Sequence, residues 1–241
     1  MAQQENDMIE LYKGDCFKLM KDLPDKSVNL FVCDPPYLLD KNIGHGNAQS
    51  LNKSQLLLKK EIDLTDGYDI EGFASEVKRL QKDINCYFWC NKKQINSYFK
   101  TYVDKMKCKF DILSWHKTNA QGMFWGKYLS DTEYLLHFFK GKGTTFPQNY
   151  EDAHTYMVSV SSYLLNRKWG HPTIKPMEFI RRIIRNSSRV GGLVVDPFMG
   201  SGTTAIACML ENRRFKGYEI NDRYYEIALR RIENFKKNGD Y

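Results

Sequence analysis

Two short stretches, far apart in the chain, hold residues whose types and spacing could do chemistry. The first is Asp34-Pro35-Pro36-Tyr37, preceded by the nearly unbroken apolar run Val28-Asn29-Leu30-Phe31-Val32-Cys33. Such a run reads as a strand of a parallel sheet, buried on both faces. Two prolines must end it, because neither can donate a ladder hydrogen bond and each keeps its predecessor out of the helical region. A carboxylate and an aromatic ring are thereby held on a stiff turn at a strand's carboxyl end, which is where open α/β sheets bind ligands. By itself the tetrapeptide is no more than a strand-ending turn. The second stretch is Asp196-Pro197-Phe198-Met199-Gly200-Ser201-Gly202-Thr203-Thr204-Ala205, entered from the strand Leu193-Val194-Val195 and followed by a helical pattern. Gly200, Gly202 and Ala205 fit the Gly-x-Gly-x-x-Gly/Ala nucleotide fingerprint. Glu219, nineteen positions after Gly200, ends the next strand, where an acid can accept both hydroxyl protons of a ribose. This context points to a cofactor containing adenosine and leaves NAD and S-adenosylmethionine both open.

Alternating strand and helix patterns must position these stretches. Residues 8–13, 28–33, 84–90, 110–115, 133–139, 193–195 and 214–218 read as strands. Residues 17–21, 68–82, 92–105, 203–211 and the stretch after Pro176 read as helices, with Asp222 capping a last one. The alternation gives an α/β fold with a mostly parallel sheet. Residues 38–67 and 141–168 carry little periodicity and many polar side chains. The first reads as a loop or lid, and the two together as substrate-recognition surface.

The chain has 241 residues and 42% hydrophobic content, enough for one large domain spanning residues 1–241. Its net charge of +7 is compatible with a polyanionic partner. The six cysteines form no Cys-x-x-Cys pair and show no zinc-type spacing. They read as buried thiols of a reducing compartment. There is no signal-peptide core and no apolar run of membrane-spanning length, so the expectation is a soluble cytoplasmic protein without a metal or a membrane partner.

Taken as a pair, the two stretches resemble the motifs of the amino-methylating DNA methyltransferases, which modify adenine N6 or cytosine N4. Those enzymes carry an (Asp/Asn/Ser)-Pro-Pro-(Tyr/Phe/Trp) catalytic motif and a Phe-x-Gly-x-Gly cofactor motif, here Phe198 to Gly202. The catalytic motif comes first and the cofactor motif last, which is the order of the circularly permuted β class. His171-Pro172-Thr173-Ile174-Lys175-Pro176 and Gly14-Asp15-Cys16 resemble further segments of that class, and Trp115-His116-Lys117-Thr118-Asn119 resembles a DNA-proximal Trp-x-Lys-x-Asn stretch of some members. The matches run from Gly14 to Glu219. The resemblance implies a Rossmann-like methyltransferase fold with a seven-stranded sheet, S-adenosylmethionine as cofactor and double-stranded DNA as partner. It assigns catalysis to Asp34, Pro35, Pro36 and Tyr37. It assigns cofactor binding to Asp15, Thr173, Lys175, Asp196, Phe198, Gly200, Ser201, Gly202, Thr203 and Glu219. Asp at the head of the catalytic motif implies adenine N6, with cytosine N4 as the alternative, and RNA methylation or NAD-dependent oxidoreduction further behind. DNA recognition is expected from residues 38–67 and 117–168, and a homodimer is expected because many relatives dimerise.

Overall fold

The computed structural model describes residues 8–37, 68–120, 126, 128–141 and 144–241. Eight strands form one sheet: β1 (Ile9–Lys13), β2 (Leu30–Cys33), β3 (Ile84–Cys90), β4 (Lys109–Lys117), β5 (Thr132–Lys140), β6 (Tyr156–Ser159), β7 (Leu193–Asp196) and β8 (Arg214–Glu219). Their spatial order is β1-β8-β7-β2-β3-β5-β4-β6. The pairs β1/β8, β8/β7, β7/β2, β2/β3 and β4/β6 are parallel, while β5 runs against both β3 and β4. Among the described strands only β5 is therefore reversed.

The sheet is mostly parallel, as the strand–helix alternation predicts, but it has eight strands where the resemblance implies seven. The additional strand is β6, inside a stretch without clear periodicity. It lies at the sheet's edge, where its residues alternate only between exposed and half-buried, and Tyr156-Met157-Val158 is apolar throughout, so the residues show none of the polar–apolar alternation by which a half-buried strand is recognised.

The central strands β2 and β3 are buried throughout. Their successive side chains feed two cores. Phe31, Cys33, Cys86 and Phe88 enter one cluster, whereas Leu30, Val32, Tyr87 and Trp89 enter the other. Helices cover both faces: α1 (Cys16–Leu19), α2 (Ile70–Leu80), α3 (Ile95–Tyr98), α4 (Tyr163–Trp169), α5 (Met177–Ser187), α6 (Thr203–Leu210) and α7 (Asp222–Asn238). Helix α5 starts after Pro176 and buries Phe179, Ile180, Ile183 and Ile184 at helical spacing. The helical reading of residues 92–105 resolves into α3 followed by a π-helical stretch, Phe99–Lys105. Helix α7 is capped by Asn221, whose side chain accepts from the Tyr224 amide, rather than by Asp222, which is the first helical residue. No helix among the described residues is long and apolar enough to cross a membrane. The expected recognition segment 38–67 lies outside the described residues, and strands β5 and β6 fall within the 117–168 span.

Phe73 on α2 ties the core to the glycine-bearing loop. It is fully buried, with ring centroids 5.8 Å from Phe31, 5.9 Å from Phe88 and 6.0 Å from Phe198. Truncation here removes apolar area and leaves a cavity. Phe73→Ala should lower the unfolding free energy by about 3–5 kcal/mol, measured by urea denaturation.

Candidate active site

The parallel strands bring their carboxyl ends to one edge. Strand β7 continues to β8 on one side, and β2 continues to β3 on the other, although β7 and β2 are neighbours. The crevice between them is the topological switch point, where doubly wound sheets bind ligands. The two motifs of the sequence leave the sheet here. A pocket is lined by Asp34 at the end of β2, by Asp196, Phe198, Gly200, Ser201 and Thr203 at and beyond the end of β7, and by Thr173 and Lys175 from the segment before α5. Asp15 stands at the end of β1, and the Gly14 amide donates to the Glu219 carbonyl (2.9 Å), so the cofactor-assigned residues of β1, β7 and β8 share one rim.

The loop after β7 is bound from beneath. Gly200 and Gly202 have φ of +51° and +76°, in the left-handed region that glycine adopts without cost. A Cβ at Gly202 would lie 3.1 Å from the Ala228 side chain of α7, and one at Gly200 would lie 3.2 Å from His171 Nε2. The loop's backbone can therefore face a ligand while its other side is packed. Asp196 holds this loop: Oδ1 accepts from the Phe198 amide (3.1 Å) and Oδ2 from the Thr204 hydroxyl (2.6 Å). Burial pushes its carboxyl up to about 7, against those two donors. Glu219 grips the other flank, its Oε2 accepting from the Gly200 amide (2.9 Å) and its Oε1 from the Asn221 amide (2.8 Å). Each oxygen keeps a further lone pair for a ligand hydroxyl. Asp15 uses its side chain as the cap of α1, accepting from the Phe17 amide (2.9 Å).

Sequence reasoning missed Arg231 of α7. It is fully buried and donates to the Ser201 carbonyl (2.6 Å), the Ser201 hydroxyl (2.8 Å) and Thr203 Oγ1 (3.0 Å). Its spacing was the available signal. Arg231 falls one helical repeat after Ile227 and one before Phe235, on the apolar face, where a charge must find partners. That signal does not say which loop supplies them.

On the β2 side, Tyr37 donates to Asp34 Oδ1 (2.6 Å), and Lys175 Nζ lies 3.1 Å from Asp34 Oδ2. The buried Gln94 side chain donates to the Pro36 carbonyl (2.9 Å) and so fixes the turn. The resemblance assigns Lys175 to the cofactor, but the structure places its ammonium against the catalytic motif. It also donates to the Tyr37 hydroxyl (3.2 Å) and to Glu133 Oε2 (3.0 Å). Glu133 in turn pairs with Lys117. Burial pushes the Asp34 carboxyl upward, against the opposing pull of Lys175 and Tyr37. Burial acts to lower Lys175, but Asp34, Tyr37 and Glu133 outweigh it and hold the ammonium well above its ordinary value. For Glu133, burial is outweighed by Lys175 and Lys117, which hold its carboxyl at about 2.

Comparison with known proteins gives the family. A family model described as DNA methylase, of the N6/N4 methyltransferases, matches residues 28–230. The chain belongs to the N6/N4 DNA methylase family. This DNA methylase is 28% identical over 262 residues to the type II methyltransferase M.HinfI of Haemophilus influenzae, a match covering 99% of this chain and 72% of that one. It is 25% identical to the type II methyltransferase M2.MboI of Moraxella bovis, covering 95% and 89% of the two chains. Among solved structures, the M1.HpyAVI complex with S-adenosylmethionine superposes with a TM-score of 0.69 at 25% identity, covering 93% of this chain and 100% of that one. The cytosine-N4-specific PvuII DNA methyltransferase shares the fold, with a TM-score of 0.68 at 18% identity and coverage of 92% and 85%.

Asp196 couples this loop to pH. Its folded-state carboxyl lies above its unfolded value, so its contribution to stability is fully present below the unfolded value near 4 and is lost as pH rises through about 7. In Asp196→Asn the oxygen can still accept from Phe198 while the amide donates to Thr204. Denaturation across pH 4 to 7 should therefore show a smaller fall in unfolding free energy in the variant than in the wild type.

Proposed function

We propose that this DNA methylase transfers the methyl group of S-adenosylmethionine to the N6 amino group of adenine in double-stranded DNA. The observation that carries the reading is the one pocket lined both by Asp34 and by Gly200 and Ser201. A group that can activate an amine thus stands beside a loop shaped to hold the methyl donor. The Gly200–Thr203 loop, Phe198, Glu219 and Asp15 are the residues that would hold S-adenosylmethionine, which supplies an electrophilic methyl on a sulfonium centre. Glu219 fits the ribose because its oxygens are fixed by backbone donors and retain acceptor capacity.

The target amino nitrogen is a weak nucleophile, since its lone pair is delocalised into the ring. Asp34 accepts a hydrogen bond from one N–H and the Pro35 carbonyl from the other, drawing the nitrogen toward tetrahedral geometry and freeing the lone pair. Once the N–C bond has formed at the expense of the methyl–sulfur bond, whose electron pair stays on sulfur, the nitrogen carries one proton too many, and Asp34 is the group placed to take it. Its upward shift makes it a better base than an ordinary carboxylate. Acceptors preorganised for a developing charge are worth roughly two to three decades of rate each. The amino group is out of reach inside a duplex, so the base must leave the stack. The Tyr37 ring then offers a stacking surface worth about 1–3 kcal/mol, and its hydroxyl holds Asp34 in place. The preference for adenine over cytosine rests on Asp at the head of the motif. The loops of the 117–168 span, including Asn119, whose side chain accepts from the Ser161 amide (2.7 Å), are the described parts that would meet DNA.

Asp34→Ala should abolish transfer to DNA while S-adenosylmethionine affinity, by calorimetry, stays within about threefold, because the carboxylate acts on the amine rather than on the donor. Nucleoside chromatography of DNA treated with the wild-type protein should yield N6-methyladenine. N4-methylcytosine would reassign the base and leave the role of Asp34 standing, whereas label in RNA or protein alone would overturn the substrate. Glu219→Ala should weaken cofactor binding by about 1.5–3 kcal/mol, the cost typical of lost hydrogen bonds to a charged group. Unchanged affinity would remove the ribose assignment.

A further inference from the structure

The proposed mechanism uses Asp34 and leaves Glu133 without a role. Yet Glu133 sits at the catalytic edge for a definite reason: it is near the start of β5, the one reversed strand among those described, so its amino end lies level with the carboxyl ends of the others. There it faces Lys175 Nζ at 3.0 Å, while the same ammonium stands 3.1 Å from Asp34 Oδ2. Lys175 is buried, with its ammonium 4.6 Å from the centre of the Trp89 ring, so it has little freedom to leave. Lys117, at the end of β4, closes the row by pairing with the second oxygen of Glu133. The order Lys117, Glu133, Lys175, Asp34 alternates in sign and sums to no net charge.

This arrangement answers a conflict in the chemistry. Without a cation, the half-buried Asp34 would be driven toward its neutral form and could not accept an amine proton. With a cation bound to it alone, the charge of Asp34 would be spent on the ammonium, because charge-assisted hydrogen bonds are strong and compete with the neutral amine. We infer that Glu133 is a positioning residue for methyl transfer: Lys175 keeps the Asp34 carboxylate charged, and Glu133, by sharing that ammonium, leaves the carboxylate available to the target amine. Lys117 keeps Glu133 in place for that purpose. The inference rests on Asp34 as the amine acceptor. The groups facing Asp34 are Tyr37 from its own turn, Lys175 from the segment before α5, Glu133 from β5, Asp196 at the end of β7 and Tyr98 from α3, with the Cys33 thiol beside it.

The test is the pH dependence of kcat on duplex DNA for Glu133→Gln, Lys175→Met and the double variant, with S-adenosylmethionine affinity measured by calorimetry alongside. In Glu133→Gln the plateau kcat should fall roughly tenfold or more, as for a misplaced catalytic group, while cofactor affinity changes less than about threefold. Its acidic limb should move to lower pH, because a like charge is removed and the ammonium turns wholly to Asp34. In Lys175→Met the limb should move the other way, to higher pH. The plateau loss caused by Glu133→Gln should vanish in the Lys175→Met background, since Glu133 acts through Lys175. A Glu133→Gln variant with the wild-type limb and plateau would overturn the inference, and so would an equal loss in both backgrounds. Asp34→Ala separates this failure from that of the wider reading. If Asp34→Ala retains wild-type turnover, the role of Asp34 itself is wrong. If it is inactive while Glu133→Gln is unaltered, only the role of Glu133 falls.

Discussion

The parallel pairing of β2 with β7 is the constraint on which the site depends. Their residues are separated by most of the chain, yet Leu30 lies beside Val194 and Phe31 beside Val195. A reciprocal contact just before the strands pins this register: the Asn29 amide donates to the Leu193 carbonyl (2.9 Å), and the Leu193 amide donates to Asn29 Oδ1 (2.8 Å). A polar residue in an otherwise apolar run thus acts as a register key. A slip of one residue would turn every side chain to the opposite face and carry Asp34 away from the glycine loop. Because the pair is central, both faces must be apolar, and the two cores and their helices follow from that requirement.

Around this seam the molecule solves two electrostatic problems in different ways. The glycine-loop side uses titratable side chains to hold backbone: Asp196 and Glu219 accept main-chain amides, and the buried Arg231 donates to the Ser201 carbonyl. They order a loop whose glycines could not hold one conformation by themselves, since glycine loses the most freedom on folding. The Asp34 side instead uses alternating charges, Lys175 between Asp34 and Glu133. Such a group is costly to bury unless each member is paired, which explains why the cluster is completed by Lys117 near the surface.

Much of this was legible in the chain. The run from Val28 to Cys33 and the prolines after it determined a buried strand with an abrupt end, because only local sterics and burial are involved. Gly200, Gly202 and Ala205, with Glu219 after the next strand, determined a loop open to a cofactor, and Pro176 with Phe179, Ile180, Ile183 and Ile184 determined α5. What the tertiary structure alone decided were the contacts between segments that no local pattern links. Strand β6 became part of the sheet through its pairing with β4, having no polar–apolar alternation to announce it. Arg231 became an anchor of the cofactor loop because α7 packs beneath that loop, and helical period says nothing of which loop a helix meets. Glu133 reached Lys175 only because β5 runs backwards, and strand direction is a property of the assembled sheet, absent from the residues of the strand itself.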